Sequence, residues 1–148
     1  MPCLQQLSSK DWPLLQPLAE EDPHAWSEKL WQASLQTDEV WGLVTDEGQL
    51  AGVLVLGWGY REAEILYVLV AEARRRQGFA QQLVDKARQR AQEETAERLL
   101  LEVRASNRPA IRLYEQQGFQ QDGVRKNYYA SQASPTGKED AILMSLKL

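Results

Sequence analysis

Three places in the chain carry residue types whose spacing could do chemistry. The first is Arg74-Arg-Arg-Gln-Gly-Phe-Ala80, a basic turn that follows the apolar run Val68-Leu-Val70. Behind it Ala80, Leu83, Val84, Ala87 and Ala91 recur at helical spacing. A turn from strand into helix aims backbone N–H groups and the positive end of the helix dipole at one spot, which suits a phosphate. Gly78 lets the backbone approach a ligand with no Cβ in the way, and Arg75 and Arg76 can add charge-assisted bonds. A solvated basic loop capping an ordinary helix uses the same residues, so the turn alone does not decide. The second place is Glu102 within Leu101-Glu-Val-Arg-Ala-Ser-Asn107. Alternation puts Leu99, Leu101 and Val103 on one strand face and Leu100, Glu102 and Arg104 on the other, so the carboxylate faces solvent, an edge or a cleft. The third is Tyr114, beside Ile111 in the following helix, where a packed core tyrosine is the plain reading.

The elements that must position these residues follow from period and punctuation. Ser8 or Ser9 caps a first helix with Trp12, Leu14, Leu15 and Leu18 on its apolar side. Asp22-Pro23 breaks the chain, Trp26 is a packed anchor, and a second helix starts near Ser27 with Leu30, Trp31 and Leu35 as its buried stripe. Val40–Thr45 and Gln49–Leu56 form a hairpin across Asp46-Glu-Gly48, ended by Gly57-Trp-Gly59. A third strand, Glu64–Val70, reads as buried and leads into the basic turn. After the long helix come a strand over Arg98–Val103 and a helix capped by Ser106 or Asn107, with Pro109 in its first turn and Gly118 past its end. Strands over Phe119–Arg125 and Ala141–Leu146 finish the chain, joined by a turn-rich stretch from Ala130 to Asp140. The order is two helices, three strands, helix, strand, helix, two strands: one mixed α/β domain over residues 1–148.

Composition narrows the function classes. A net charge of −4 argues against a general nucleic-acid binder, which needs a basic face, and sets the Arg74–Arg76 cluster apart from its background. One cysteine, Cys3, and one histidine, His24, cannot form a disulfide or a typical zinc site, and no EF-hand, P-loop or G-x-S-x-G pattern occurs. No metal is expected. There is no apolar run of membrane-spanning length and no basic-then-apolar leader pattern, so the expectation is a soluble, cytoplasmic, monomeric protein.

At these residues the sequence resembles the GNAT family of N-acetyltransferases. Arg75-Arg-Gln-Gly-Phe-Ala80 matches the family's Arg/Gln-x-x-Gly-x-Ala/Gly signature for the pyrophosphate of acetyl-CoA. Leu101–Asn107, Ala110-Ile-Arg-Leu-Tyr-Glu115, Gly118-Phe119, Arg125-Lys-Asn-Tyr-Tyr129 and Glu139-Asp-Ala141 are similar to the branch that acetylates the N-terminal alanine of a ribosomal protein. Trp26-Ser-Glu28 belongs to the same likeness, with Ala25 where the branch often has Pro. The stretch from Tyr129 to Glu139 is a little longer than the branch requires. The resemblance implies a central, mostly antiparallel twisted sheet flanked by helices, and acetyl-CoA as co-substrate. It implies that Val68, Leu69 and Val70 meet the acetyl and pantetheine portion, and that Arg75 opens a cradle of N–H groups from Arg76, Gln77, Gly78, Phe79, Ala80 and Gln81. It further implies Asn107 near the pantetheine arm, Glu102 as general base and Tyr114 as general acid, with a strand N–H near Leu69 or Val70 for the oxyanion. The implied partner is a protein N-terminus, that of a small-subunit ribosomal protein, with no direct nucleic-acid or membrane binding. Acetylation of lysine side chains or small amines, and a non-catalytic acetyl-CoA-binding module, are the alternatives.

Overall fold

The computed structural model describes residues 1–22, 24 and 26–148. Pro23 of the anticipated break and Ala25 before Trp26 lie outside the described residues. The strands are β1 (Cys3–Leu7), β2 (Glu39–Val44), β3 (Leu50–Gly59), β4 (Glu62–Val70), β5 (Arg98–Arg104), β6 (Gln120–Ala130) and β7 (Lys138–Lys147). The helices are α1 (Trp12–Ala19), α2 (Glu28–Thr37), α3 (Phe79–Glu93) and α4 (Arg108–Gln116). This is the mixed α/β class expected, and β1–β2, β2–β3, β5–β7 and β6–β7 all pair antiparallel.

The chain gathers into two compact units, residues 1–58 with 65–90 and residues 59–64 with 91–148. In the first, the strand order is β1-β2-β3-β4, with β4 contributing from Ile65 onward. Its core holds Leu15, Leu18, Trp31, Leu35, Val40, Val53 and Val55, all buried. Trp26 anchors there as its sequence position suggests, its ring 4.8 Å from Trp31 and 5.0 Å from Tyr67 between centroids. In the second unit the order is β4-β5-β7-β6, and the core includes Leu99, Leu101, Val103, Phe119 and Met144. The Ser27 hydroxyl accepts the Leu30 N–H at 3.2 Å to cap α2. Asn107 Oδ1 accepts from Ala110 N–H at 3.3 Å to cap α4.

Four local expectations need correction. A strand, β1, precedes the first helix. Only Leu7 of its five residues is buried, so no alternation marks it, and pairing with β2 from Cys3↔Val44 to Leu7↔Val40 makes it a strand. Leu30 is 55% exposed; the buried stripe of α2 is Trp31, Ser34 and Leu35. Gly57-Trp-Gly59 does not end β3, which runs through it. A Cβ on Gly57 would come within 3.0 Å of Leu66 Cδ1, so this glycine marks close packing inside a strand. β6 continues to Ala130 and β7 begins at Lys138, which shortens the last connection to residues 131–137. A bulge between Arg125 and Tyr129, with Asn127 at φ 51° and its N–H donated to Asp140 Oδ1 at 3.0 Å, lets the ladder carry on.

Candidate active site

In the first unit the basic turn has the form expected of an anion cradle. Past β4, Ala71 N–H donates to Ala51 C=O at 2.8 Å, and Glu72–Arg74 makes one 3-10 turn. Arg75 is then extended, while Arg76 and Gly78 take φ of 64° and 81° before α3 opens at the buried Phe79. A left-handed non-glycine residue is uncommon, and Arg76 shares that backbone here with Arg61, Thr95 and Asn127. The first helical bond runs from Gln82 N–H to Gly78 C=O at 3.1 Å, which leaves Phe79, Ala80 and Gln81 N–H without a partner inside the helix. A Cβ on Gly78 would meet no protein atom within 4 Å, so the turn is open on that side.

The arginines divide their work. Arg75 Nε donates to Val70 C=O at 3.3 Å, tying the turn to the strand end, and Arg74 Nη2 lies 3.7 Å from Glu47 Oε2. Arg76 is exposed. Val68, Leu69 and Val70 are half-buried, where their apolar run predicts a buried strand; the end of β4 presents partly open apolar surface instead. α3 matches its pattern, with Leu83, Val84 and Ala87 fully buried, though Ala80 is only half-buried.

In the second unit the alternation of β5 holds. Leu99, Leu101 and Val103 are buried, and Glu102 stands on the other face with its side chain 21% exposed. Glu102 faces charged neighbours rather than bulk solvent. Arg125 Nη2 is 3.2 Å from Glu102 Oε1, and the Arg125 guanidinium lies 4.8 Å from the centroid of the Tyr128 ring. Register explains this: Glu102 pairs with Leu143 and Arg104 with Ala141, while Ala141 also faces Arg125 across the next ladder. Tyr114 is buried, its ring 5.6 Å from Phe119, and burial, then Tyr129, push its phenol up to about 12. Burial and the nearby Glu102 carboxylate also raise the Tyr129 phenol. Asn107 spends Oδ1 on the α4 cap.

Glu64 is a residue that no sequence pattern singles out. Burial first, then the Glu102 carboxylate, hold its carboxyl above the usual range, against the opposing pull of Arg125. Arg125 thus pairs with Glu102 and also attracts the Glu64 carboxylate by its charge. A carboxyl whose folded pKa lies above its unfolded 4.5 destabilises the fold when ionised. That penalty is full at neutral pH and fades as pH falls through the folded value and below the unfolded one. Glu64→Gln should raise the melting temperature at pH 7 by about 2 °C and give no gain near pH 4. Thermal denaturation at both values checks it, and a lower Tm at pH 7 contradicts it.

A separate groove of about 410 Å³ in the first unit is lined by Pro13, Leu14, Pro17, Leu18, Leu50 and Arg74, among others. Of the basic turn only Arg74 lines it, Glu102 and Tyr114 do not, and its one carboxylate, Glu21, accepts from Glu72 N–H at 2.8 Å. Among the described residues no three His, Cys, Asp or Glu gather as a metal site, and no helix is long and apolar enough to cross a membrane.

Comparison with known proteins joins these observations. Residues 2–119 match the Acetyltransferase (GNAT) family. The [ribosomal protein bS18]-alanine N-acetyltransferase of Escherichia coli strain K12 is 33% identical over 131 residues, 87% of this chain and 86% of that one. Its counterpart in Salmonella typhimurium is 32% identical over 145 residues, covering 96% and 95%. The crystal structure of the E. coli ribosomal-protein-S18-alanine N-acetyltransferase superposes with a TM-score of 0.90 at 30% identity, over 99% of this chain and 94% of that one. With a family match over residues 2–119, the chain belongs to the acetyltransferase (GNAT) family.

Proposed function

We propose that this chain is a single-domain, acetyl-CoA-dependent N-acetyltransferase that modifies the N-terminal α-amine of a protein, the substrate being the alanine terminus of the small-subunit ribosomal protein bS18. The observation that carries the reading is the relationship to the E. coli enzyme across 87% of this chain. The turn supports the co-substrate. Arg76 and Gly78 hold left-handed backbone, and the α3 N-terminus presents unpaired N–H groups where a pyrophosphate can accept them. The open side of Gly78 is space that a side chain would fill. The half-buried end of β4, Val68 to Val70, can offer backbone groups to the pantetheine amides and the acetyl group, with a strand N–H near Leu69 or Val70 for the oxyanion. The resemblance assigns Asn107 to the pantetheine arm.

Bound acetyl-CoA supplies an activated acetyl thioester; the rest falls to the side chains. An α-amine of pKa about 8 is mostly ammonium at neutral pH and cannot attack until it loses a proton. Glu102 accepts that proton, directly or through water; its ion pair engages Oε1 and leaves a second carboxylate oxygen for the task. Tyr114 handles the proton for the departing thiolate. A phenol near 12 is a far weaker acid than a thiol of about 8.5, so Tyr114 relays the proton of the cationic intermediate rather than giving up its own first.

Tyr114→Phe keeps the ring packed on Phe119 and removes only the hydroxyl, so kcat should fall about 10²-fold with the fold intact. In the unmodified enzyme the rate should climb to about pH 8 with the substrate amine and then stay level to about pH 10, because Tyr114 ionises near 12. A pH–rate profile tests this: a decline over about pH 8.5–10 that Tyr114→Phe abolishes would contradict the assignment. The function itself is tested by thiol release from acetyl-CoA with a peptide beginning Ala-Arg, beside its N-terminally blocked twin carrying one internal lysine. Release with the free peptide alone supports α-amine transfer. Equal release with both moves the activity to lysine, and binding without release with either favours a non-catalytic module. The partner is a protein terminus; a cytoplasmic, monomeric enzyme needing neither nucleic acid nor membrane fits this role.

A further inference from the structure

The face of β5 that carries Glu102 holds a second arginine–carboxylate pair that the acid–base scheme does not use. Arg104 ends β5 two residues beyond Glu102, on the same face. Its guanidinium makes three contacts. It lies 4.4 Å from the centroid of the Tyr129 ring, donates through Nη1 to Ala130 C=O at 2.9 Å, and sits 3.5 Å from Glu139 Oε2. Glu139 is fixed from its other side. Its Oε1 accepts from the Ser106 N–H at 3.2 Å and the Ser106 hydroxyl at 2.8 Å. Tyr129 and Glu139 are themselves ladder partners, and Ser131 N–H closes the connection onto Gly137 C=O at 2.9 Å. The end of β6, the start of β7 and the junction one residue before Asn107 are thus fastened at one point.

Exposure separates the two arginines. Arg104 and Glu139 side chains are only 20% and 15% exposed, whereas Arg125 is 53% exposed. A largely buried ion pair gains little stability after desolvation, so its value lies in fixing geometry. A planar guanidinium suits this, since it can stack on a ring and bond in its own plane at once.

We propose that Arg104, held by Glu139, is a positioning residue for the protein substrate: it sets Tyr129 and the 131–137 connection beside Glu102 as the wall that receives the peptide, and touches neither reactant. The inference rests on the transferase reading above and deepens it. The Glu102 charge felt at the Tyr129 hydroxyl fits that placement.

The test uses Arg104→Gln, Glu139→Gln, the double variant and Arg104→Lys in the full chain. With a peptide beginning Ala-Arg, each single Gln variant should raise the peptide KM about tenfold and leave the acetyl-CoA KM within about twofold. The double variant should be no worse than either single one, because the two residues act as a unit. Arg104→Lys restores charge without the planar fork and should recover the peptide KM only in part. Equal damage to both KM values, or multiplying effects in the double variant, overturns the proposal. A second readout needs no activity. Amide hydrogen exchange at Ser131 and Gly137 should quicken about tenfold in Arg104→Gln while residues 99–103 hold steady, and unchanged exchange there overturns the clamp. Should the unaltered protein acetylate no N-terminal peptide, the functional reading fails, and exchange still judges the clamp separately.

Discussion

Replacing Glu102 with Gln should lower kcat on an N-terminal peptide by about 10²- to 10⁴-fold and leave acetyl-CoA affinity within about twofold. The size follows from the role proposed for it as general base. Gln keeps the shape of the side chain and loses the ability to hold a proton, so only the step that deprotonates the substrate ammonium suffers. The fold gives little reason for collateral damage. The ion pair removed has a partner in Arg125 that is half exposed, so water takes over its solvation, and such pairs are worth at most about 1 kcal/mol. Removing the charge also relieves Glu64, which the Glu102 carboxylate holds above its ordinary range. Glu102→Gln should therefore melt no lower than the unaltered protein, and a slow variant cannot be dismissed as an unfolded one. Single-turnover rates with calorimetric titration of acetyl-CoA separate the steps. Loss of co-substrate binding together with the rate would show that Glu102 shapes the site, and an undiminished rate would end its candidacy as base.

Much of this arrangement was legible because two kinds of local signal agreed. The apolar alternation of Leu99, Leu101 and Val103 fixes which way Glu102 points, and the Asn107-Arg-Pro109 cap fixes where α4 begins and so where Tyr114 lands. Both signals lie within a few residues of what they position. The basic turn was legible for the same reason, its glycine and arginines sitting between a strand pattern and a helix pattern.

The features that escaped depend on partners distant in sequence. β1 is a strand because β2 lies beside it, and its own five residues carry no readable period. The persistence of β6 past Arg125 depends on Asp140, thirteen residues away, accepting from Asn127 across the bulge. Arg125 and Glu64 reach Glu102 only because β6, β7, β5 and β4 lie side by side, and no spacing in the linear sequence pairs either residue with Glu102. The half-open state of Val68 to Val70 belongs here too: an apolar run reads as buried whether its cover is protein or a ligand.

Gly78→Val is the second large effect, and its control lies in the same chain. Gly78 sits at φ 81°, where a β-branched residue is strained by about 1–2 kcal/mol. Strain alone would lower stability without saying anything about phosphate. Gly48, in the turn between β2 and β3, has nearly the same backbone, φ 80°, and like Gly78 has no protein atom within 4 Å of where a Cβ would sit. Gly48→Val therefore carries the same strain at a place with no proposed role in co-substrate binding. Both variants should lose a similar few degrees of melting temperature. Only Gly78→Val should lose acetyl-CoA, with Kd rising about 100-fold, because its methyls occupy the open side of the turn and push the pyrophosphate away from the α3 N–H groups. Under the proposed binding of the rest of the molecule at the half-buried strand end, kcat at saturating acetyl-CoA should fall much less than kcat/KM. Equal acetyl-CoA affinity in the two variants would mean that the turn holds no phosphate, whatever its sequence.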